Sequence, residues 1–378
     1  MRQKTYILLF AFLIFYTFFD QSFGFGGKPL QTKDLPPTSE EIIIGIARHD
    51  ENMKDYLKFD TKLPVRNNYF GKAIGIRTFF TTIFEPWEKT KQLILKIKDQ
   101  DQLPSITLEF RSWAQLLKDP GKIRAEKERL DRQFGDGYYD RLMSHISNET
   151  VLTGVIKGDF DPSLNFYAQK MSSLGEINLR LFHEPFWFPW KMHRFEDNKE
   201  FIKAVKHVRQ ILDNNGAQNV RIVITFDISG FDVEAVVLQA LLPEKIVGVV
   251  EIDGYNDAWR RNLWGKDPSV EKMFAPKVSK INSILNRLSK SQARPLFVIG
   301  EVAFDGTGKA SKRQMYQDLV DYVKGNKIDG IIFLDENDGP IFEGKNGWHV
   351  DWIMDESWAR EILDQLSPKG DSPPVPNP

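Results

Sequence analysis

The sequence predicts an α/β fold, a (β/α)8 TIM barrel in one domain, and three observations predict it. Eight short runs rich in Val, Ile, Leu and Phe recur along the chain. Such runs suit parallel strands covered on both faces. Helix-patterned segments separate many of them, and strand–helix alternation implies a barrel or a doubly wound sheet. The count of eight favours the barrel. At 378 residues the chain fits a single large barrel with insertions, and it carries no fixed-period internal repeat.

The runs, in order, are Ile42–Ala47, Ala73–Phe80, Ser105–Phe110, Asn178–His183, Arg221–Asp227, Val247–Asp253, Leu296–Gly300 and Gly330–Leu334. Between them, Pro86–Lys98 opens with Pro in the first helical turn. Pro162–Leu174 follows Asp161 as N-cap and stops at Gly175. Lys199–Asn214 ends before Gly216, and Val270–Ser289 and Lys312–Lys324 precede the last two strands. Ser357–Leu366 closes the set. From Arg111 to Glu176 the chain makes a longer excursion than a crossover needs, with a charged stretch over Lys118–Asp136 and the pair Tyr138-Tyr139.

The ends read differently. Arg2 and Lys4 precede an apolar run from Tyr6 to Phe19, too short for the roughly 20 residues that span a bilayer. Ser22 and Gly24 occupy the −3 and −1 positions of a cleavage site. Residues 1–24 are therefore expected to be a secretory signal peptide, 25–40 a linker, 41–367 the barrel domain and 368–378 a disordered tail. An uncleaved anchor is the alternative reading of the leader. With no cysteine, a disulfide framework is excluded and export rests on the leader alone. Lys+Arg (51) and Asp+Glu (52) nearly cancel, so no large net field draws nucleic acid or anionic lipid. Nine Trp and 28 Phe suit stacking on the apolar faces of sugar rings, although core packing explains any one of them equally well.

Barrels of this kind carry their chemistry at the C-terminal ends of the strands. The polar residues ending the apolar runs are Glu109, Glu184, Asp227, Asp253, Glu301 and Asp335, with Glu251 just inside its run. Glu301 interrupts Leu-Phe-Val-Ile-Gly and Val-Ala-Phe, where a carboxylate is costly unless it is paired or used. Glu184 ends Asn178–His183. By alternation Arg180, Phe182 and Glu184 share one face, and the Arg–Glu pair reads equally as a structural ion pair.

The motif Arg180-Leu-Phe-His183-Glu184, followed by Trp187-Phe-Pro-Trp190, resembles the acid/base motif of glycoside hydrolase family 26. Arg294-Pro-Leu-Phe-Val-Ile-Gly-Glu301 resembles its nucleophile motif, and Asp253-Gly-Tyr255 its sixth-strand motif. Weaker echoes at Pro104–Glu109 and around His207 and Asn219 keep the family order across residues 42–350.

The resemblance implies a retaining β-glycosidase. Glu184 matches the acid/base and Glu301 the nucleophile. Tyr255 matches a donor to the nucleophile, His183 and Trp187 match sugar contacts, and Arg180 supports a glutamate. A buried Tyr bonded to backbone and a satisfied structural His are the rival readings of Tyr255 and His183. Two departures stand out. Only Pro185-Phe186 separate Glu184 from Trp187, and an aspartate that many mannanases carry at the start of the sixth strand is replaced near Gly248. These changes touch sugar-binding positions rather than the two glutamates.

The expectation is a secreted or periplasmic endo-acting hydrolase of a β-linked polysaccharide, β-mannan first. It is expected to be a monomer with no cofactor, no catalytic metal, no nucleic-acid partner and no membrane association after leader cleavage. A non-catalytic carbohydrate-binding barrel, a glycosidase for β-glucan, xylan or a bacterial exopolysaccharide, and an unrelated metal-dependent barrel enzyme are the alternatives. The acidic cluster Asp335–Asp338 matches no calcium-loop spacing and reads as a solvated loop.

Overall fold

The computed structural model describes residues 43–48, 74–116, 118–183, 195–228, 233–256, 269–288, 294–304 and 309–334. All lie in one unit, Pro36–Pro378. The leader, the linker, the helix expected at Ser357–Leu366, the acidic cluster and the tail fall outside them.

Eight parallel strands close on themselves in sequence order. They are β1 (Ile43–Arg48), β2 (Ile74–Thr82), β3 (Leu103–Glu109), β4 (Ile177–Leu181), β5 (Val220–Asp227), β6 (Val247–Asn256), β7 (Leu296–Phe304) and β8 (Gly330–Leu334), and β8 pairs back onto β1. Each of the eight expected runs overlaps one of these strands, and the (β/α)8 barrel is the observed fold.

Ten helices are described. They are α1 (Trp87–Lys98), α2 (Trp113–Leu116), α3 (Pro120–Phe134), α4 (Tyr138–Ser147), α5 (Val151–Lys157), α6 (Asp161–Met171), α7 (Phe195–Asn214), α8 (Glu234–Leu241), α9 (Val270–Leu285) and α10 (Lys309–Gly325). In α1, Trp87, Thr90, Leu93, Ile94 and Ile97 recur at helical spacing and are buried. Glu88 opens the helix and Lys96 and Lys98 close it, in keeping with its dipole. The Ser269 side chain caps α9 by accepting from the Lys272 N–H at 3.1 Å, a contact worth about 1 kcal/mol.

The excursion between β3 and β4 is helical throughout its main part, from α2 to α6. Tyr138 on α4 donates to Ser163 on α6 (2.7 Å), Arg129 on α3 donates to the Phe84 carbonyl, and α5 and α6 pack on α7. Two sequence expectations change here. Asp161 is not the N-cap of α6; Phe160 holds that position, and the Asp161 carboxylate meets His207 Nε2 at 2.7 Å instead. Helix α8 was not anticipated at all.

Apolar side chains form two clusters. The larger fills the layer between barrel and helices. The smaller lies inside the barrel, where Ile76, Val223, Val249, Val298 and Ile332 meet with Ile43, Leu103 and Leu296 at its edge. Toward the C-terminal ends of the strands the interior turns polar: Thr107, Arg180, Thr225, Glu251, Asp253 and Glu301 are all buried there.

Alternation along the strands explains most of this interior, and two departures from it shape the polar layer. In β7, Val298 faces in and Ile299 packs outward. Strict alternation would then send residue 301 outward. A bulge intervenes: Ile299 pairs with Ile331 and Glu301 with Ile332, leaving Gly300 as an extra residue. The phase resets and Glu301 faces in. In β4, Arg180 faces in, and Phe182 has φ +52°, a backbone region unfavourable for a bulky side chain. Its ring stacks on Phe110 (4.9 Å between centroids) and meets Phe201 of α7, in the outer cluster. Phe182 therefore does not share the Arg180 face; the turn at Phe182 brings in His183 instead.

Candidate active site

Arg180 is the centre of the polar layer. Its side chain is fully buried and its guanidinium has a partner on every edge. The Nε lies 2.9 Å from Glu251 Oε2 and 3.4 Å from Thr225 Oγ1. One terminal nitrogen donates to Glu301 Oε1 and to Thr107 Oγ1 (3.2 Å). The other donates to Asp253 Oδ2 (3.3 Å) and to His183 Nδ1 (3.0 Å). Burial works to lower the Arg180 pKa, but Glu251, Glu301 and Asp253 together outweigh it and hold the group above its ordinary range.

Glu301 is fully buried and held on both oxygens. Arg180 takes Oε1, and the Tyr255 hydroxyl donates to Oε2 at 2.8 Å. Its backbone N–H, displaced at the bulge, donates to Asp253 Oδ1 at 2.9 Å. Asp253 thus fixes the Glu301 main chain while it also meets Arg180.

An arginine nitrogen has no lone pair to offer, so His183 Nδ1 accepts and the ring proton sits on Nε2. That nitrogen lies 3.6 Å from Glu301 Oε2. The edge of the ring is set against Phe80, 5.2 Å away and nearly perpendicular. Glu251 is buried and bonded to Arg180 and Thr225; burial, only partly offset by Arg180 and reinforced by Glu301, raises its pKa.

Of the residues singled out in the sequence, Arg180, His183, Tyr255 and Glu301 come together here. Glu184 and Trp187 lie outside the described residues. Glu109, at the end of β3, is buried and pairs with Arg111. Asp253 and Glu251 were noted as strand-end carboxylates but not carried into the site; the structure makes both direct partners of Arg180. Their signal was a pair of acids at alternate positions in an otherwise apolar run, which puts both on one face.

His183, Asp253 and Glu301 also bring one donor atom each within 4.8 Å of the others, as a metal set requires. The Arg180 guanidinium bonds to all three and places a positive charge among them.

A closed (β/α)8 barrel with buried carboxylates at the C-terminal ends of β6 and β7 has the form in which strand-end acids act on a substrate at the mouth. Solved structures that share this fold include three mannanases. The chain is similar to a GH26 β-mannanase from Bacteroides ovatus, at 13% identity over 87% of this chain and 89% of that one, with a TM-score of 0.53. It is also similar to an endo-β-1,4-mannanase from Cellulomonas fimi (14%, covering 87% and 71%, TM-score 0.53). A third is the endo-β-1,4-mannanase from Thermotoga petrophila (13%, 88% and 78%, 0.52). The chain thus has the barrel fold of glycoside hydrolase family 26 mannanases. A stretch of 133 residues, 34% of the chain, is 29% identical to Endoglucanase H of Acetivibrio thermocellus, of which it spans 15%. No protein-family model matches the chain. No described helix is long and apolar enough to cross a membrane.

Proposed function

We propose that this protein is a retaining β-glycosidase that cleaves within a β-linked polysaccharide, with β-mannan as first substrate. The observation that carries the reading is Glu301. A bulge turns its carboxylate into the barrel, and Arg180 and Tyr255 hold one oxygen each. Two such donors favour the ionised form and fix its direction, which is what a nucleophile needs. The mannanases that share the fold support the substrate class, as does the order of the sequence motifs in this chain. The match to Endoglucanase H makes a β-glucan the second substrate reading.

In the first step Glu301 attacks the anomeric carbon while Glu184 gives its proton to the departing glycosidic oxygen, leaving a glycosyl-enzyme ester. In the second, water attacks that carbon, Glu184 takes the water proton, and Glu301 leaves as carboxylate. Retention requires the two carboxyls about 5–5.5 Å apart. His183 and Trp187 are assigned to sugar contacts, and residues 1–24 to export of a monomeric enzyme.

The test is hydrolysis of mannan, glucan, xylan and exopolysaccharide, with NMR of the first-formed anomer. Glu301→Ala should abolish turnover on all of them. Glu184→Ala should still release an activated aryl group, because acid assistance then matters less. Near-normal activity in Glu301→Ala, or an inverted product, overturns the reading.

A further inference from the structure

We propose that Glu251 is a further positioning residue of this site: its carboxyl anchors the Nε edge of Arg180, so that the terminal nitrogens are aimed at Glu301 and Asp253. The inference rests on the glycosidase reading above. Glu251 sits two residues before Asp253 on the inward face of β6, farther from the strand's C-terminal end. Its Oε2 is 2.9 Å from Arg180 Nε and accepts from Thr225 Oγ1 at 3.2 Å. A guanidinium is planar, so fixing one edge fixes the directions of the other two.

Room for this carboxyl comes from across the β6–β7 ladder. A Cβ on Gly300 would stand 2.4 Å from Glu251 Cγ, 2.6 Å from its Oε1 and 2.2 Å from Asp253 Oδ1. The same bulge residue that turns Glu301 inward thus leaves the space in which Glu251 lies.

The charge of the cluster points to the form in which Glu251 acts. The groups around it are Arg180 on β4, His183 just beyond β4, Thr225 on β5, Asp253 on β6 and Glu301 on β7. Three buried carboxylates face one guanidinium, and a second uncompensated anion is costly there. Glu301 and Asp253 each receive further donors, Tyr255 for one and the Glu301 amide for the other. Among the described residues, Glu251 Oε1 has no hydrogen-bond partner. A bare buried oxygen is borne far better by a neutral acid than by a carboxylate. Glu251 therefore holds the arginine as an uncharged acid and leaves the arginine's charge to the nucleophile.

The full-length protein is compared with Glu251→Gln, Glu251→Asp and Glu251→Ala on activated aryl β-mannosides and β-glucosides. Their kcat/KM reports the attack by Glu301 with little need of Glu184. Gln is neutral and reaches Nε, so it should keep kcat/KM within about 3-fold. Asp is too short, and with Ala it should lose about 30-fold or more, chiefly in kcat, with KM little changed. Isotope-edited infrared spectroscopy of the wild type at neutral pH should show a protonated carboxyl band that Glu251→Gln removes. Loss in Gln equal to that in Ala, wild-type rates in Ala, or no such band each overturns the proposal. If Ala does not fold, Gln and the infrared band decide. If the wild type cleaves no glycoside, the function reading falls, while the band still tests the state of Glu251.

Discussion

Replacing Tyr255 by Phe removes one hydroxyl and little else. The ring lies in the inner apolar cluster with Val249, Val298 and Ile332, and phenylalanine fills the same space. What is lost is the 2.8 Å bond to Glu301 Oε2, between buried groups. A hydrogen bond to a charged group is worth about 1.5–3 kcal/mol. If that bond holds the nucleophile in its attacking form, its loss divides kcat/KM by about 10 to 150. Arg180 still holds Oε1, so activity falls without vanishing. The carboxylate has also lost a donor that favours its ionised form, so the acid limb of the pH profile moves to higher pH. The assay is kcat/KM for an activated aryl glycoside across the acid range, with a thermal melt of each protein. Unchanged kcat/KM and an unchanged acid limb would refute a role for the hydroxyl in serving Glu301. A large fall in Tm with a matching loss of active protein would make Tyr255 structural.

Further outcomes follow from the same cluster. Gly300→Ala drives a Cβ into Glu251 and Asp253 and should cost about 1–3 kcal/mol in chemical denaturation, with most activity lost. Arg180→Lys keeps a charge but not three edges, and should cost about 3–5 kcal/mol because buried carboxylates lose their partner; wild-type stability would contradict the assigned contacts. The raised pKa of Glu251 means that the folded state binds its proton more tightly than the unfolded chain does. Its contribution to stability is then present below the ordinary value of 4.5 and declines as pH rises through the folded pKa. Glu251→Gln cannot ionise, so denaturation across a pH series should find it gaining on the wild type as pH increases from acid toward neutral. A constant difference would show that Glu251 does not titrate in this way.

The strands were legible because buried parallel strands leave continuous apolar runs, and Gly330–Leu334 was bounded as observed. Boundaries elsewhere moved where the backbone departs from regular pleat. β7 continues to Phe304 through the bulge at Gly300, and β4 stops at Leu181 ahead of the turn at Phe182. Alternation alone could not show that Phe182 turns away from Arg180, because a positive φ at a phenylalanine leaves no mark in residue type. Helix α8 escaped notice because Glu234–Leu241 is short and almost wholly apolar beyond Glu234 and Gln239, a pattern that suits a buried strand as well as a helix. In the site, Glu301 was visible as a charge inside an apolar run and Tyr255 through its motif. The layer around Arg180 was not. Thr107, Thr225, Glu251 and Asp253 come from three different strands, and only closure of the barrel brings them to one guanidinium.

That single side chain also bears on how the barrel can be divided. Arg180 belongs to the first four strands, yet Thr225, Glu251, Asp253 and Glu301 all come from the last four. Cut between β4 and β5, a fragment ending after β4 would carry a cation whose remaining partners among the described residues are Thr107, His183 and the Phe80 ring, none of them an anion. The complementary fragment would hold three acids with no counter-charge. Each half thus lacks what the other supplies, so neither is suited to a stable existence alone. Mixed together, the halves have an electrostatic reason to reassemble in one register, with the arginine as the key that fits only the complete ring.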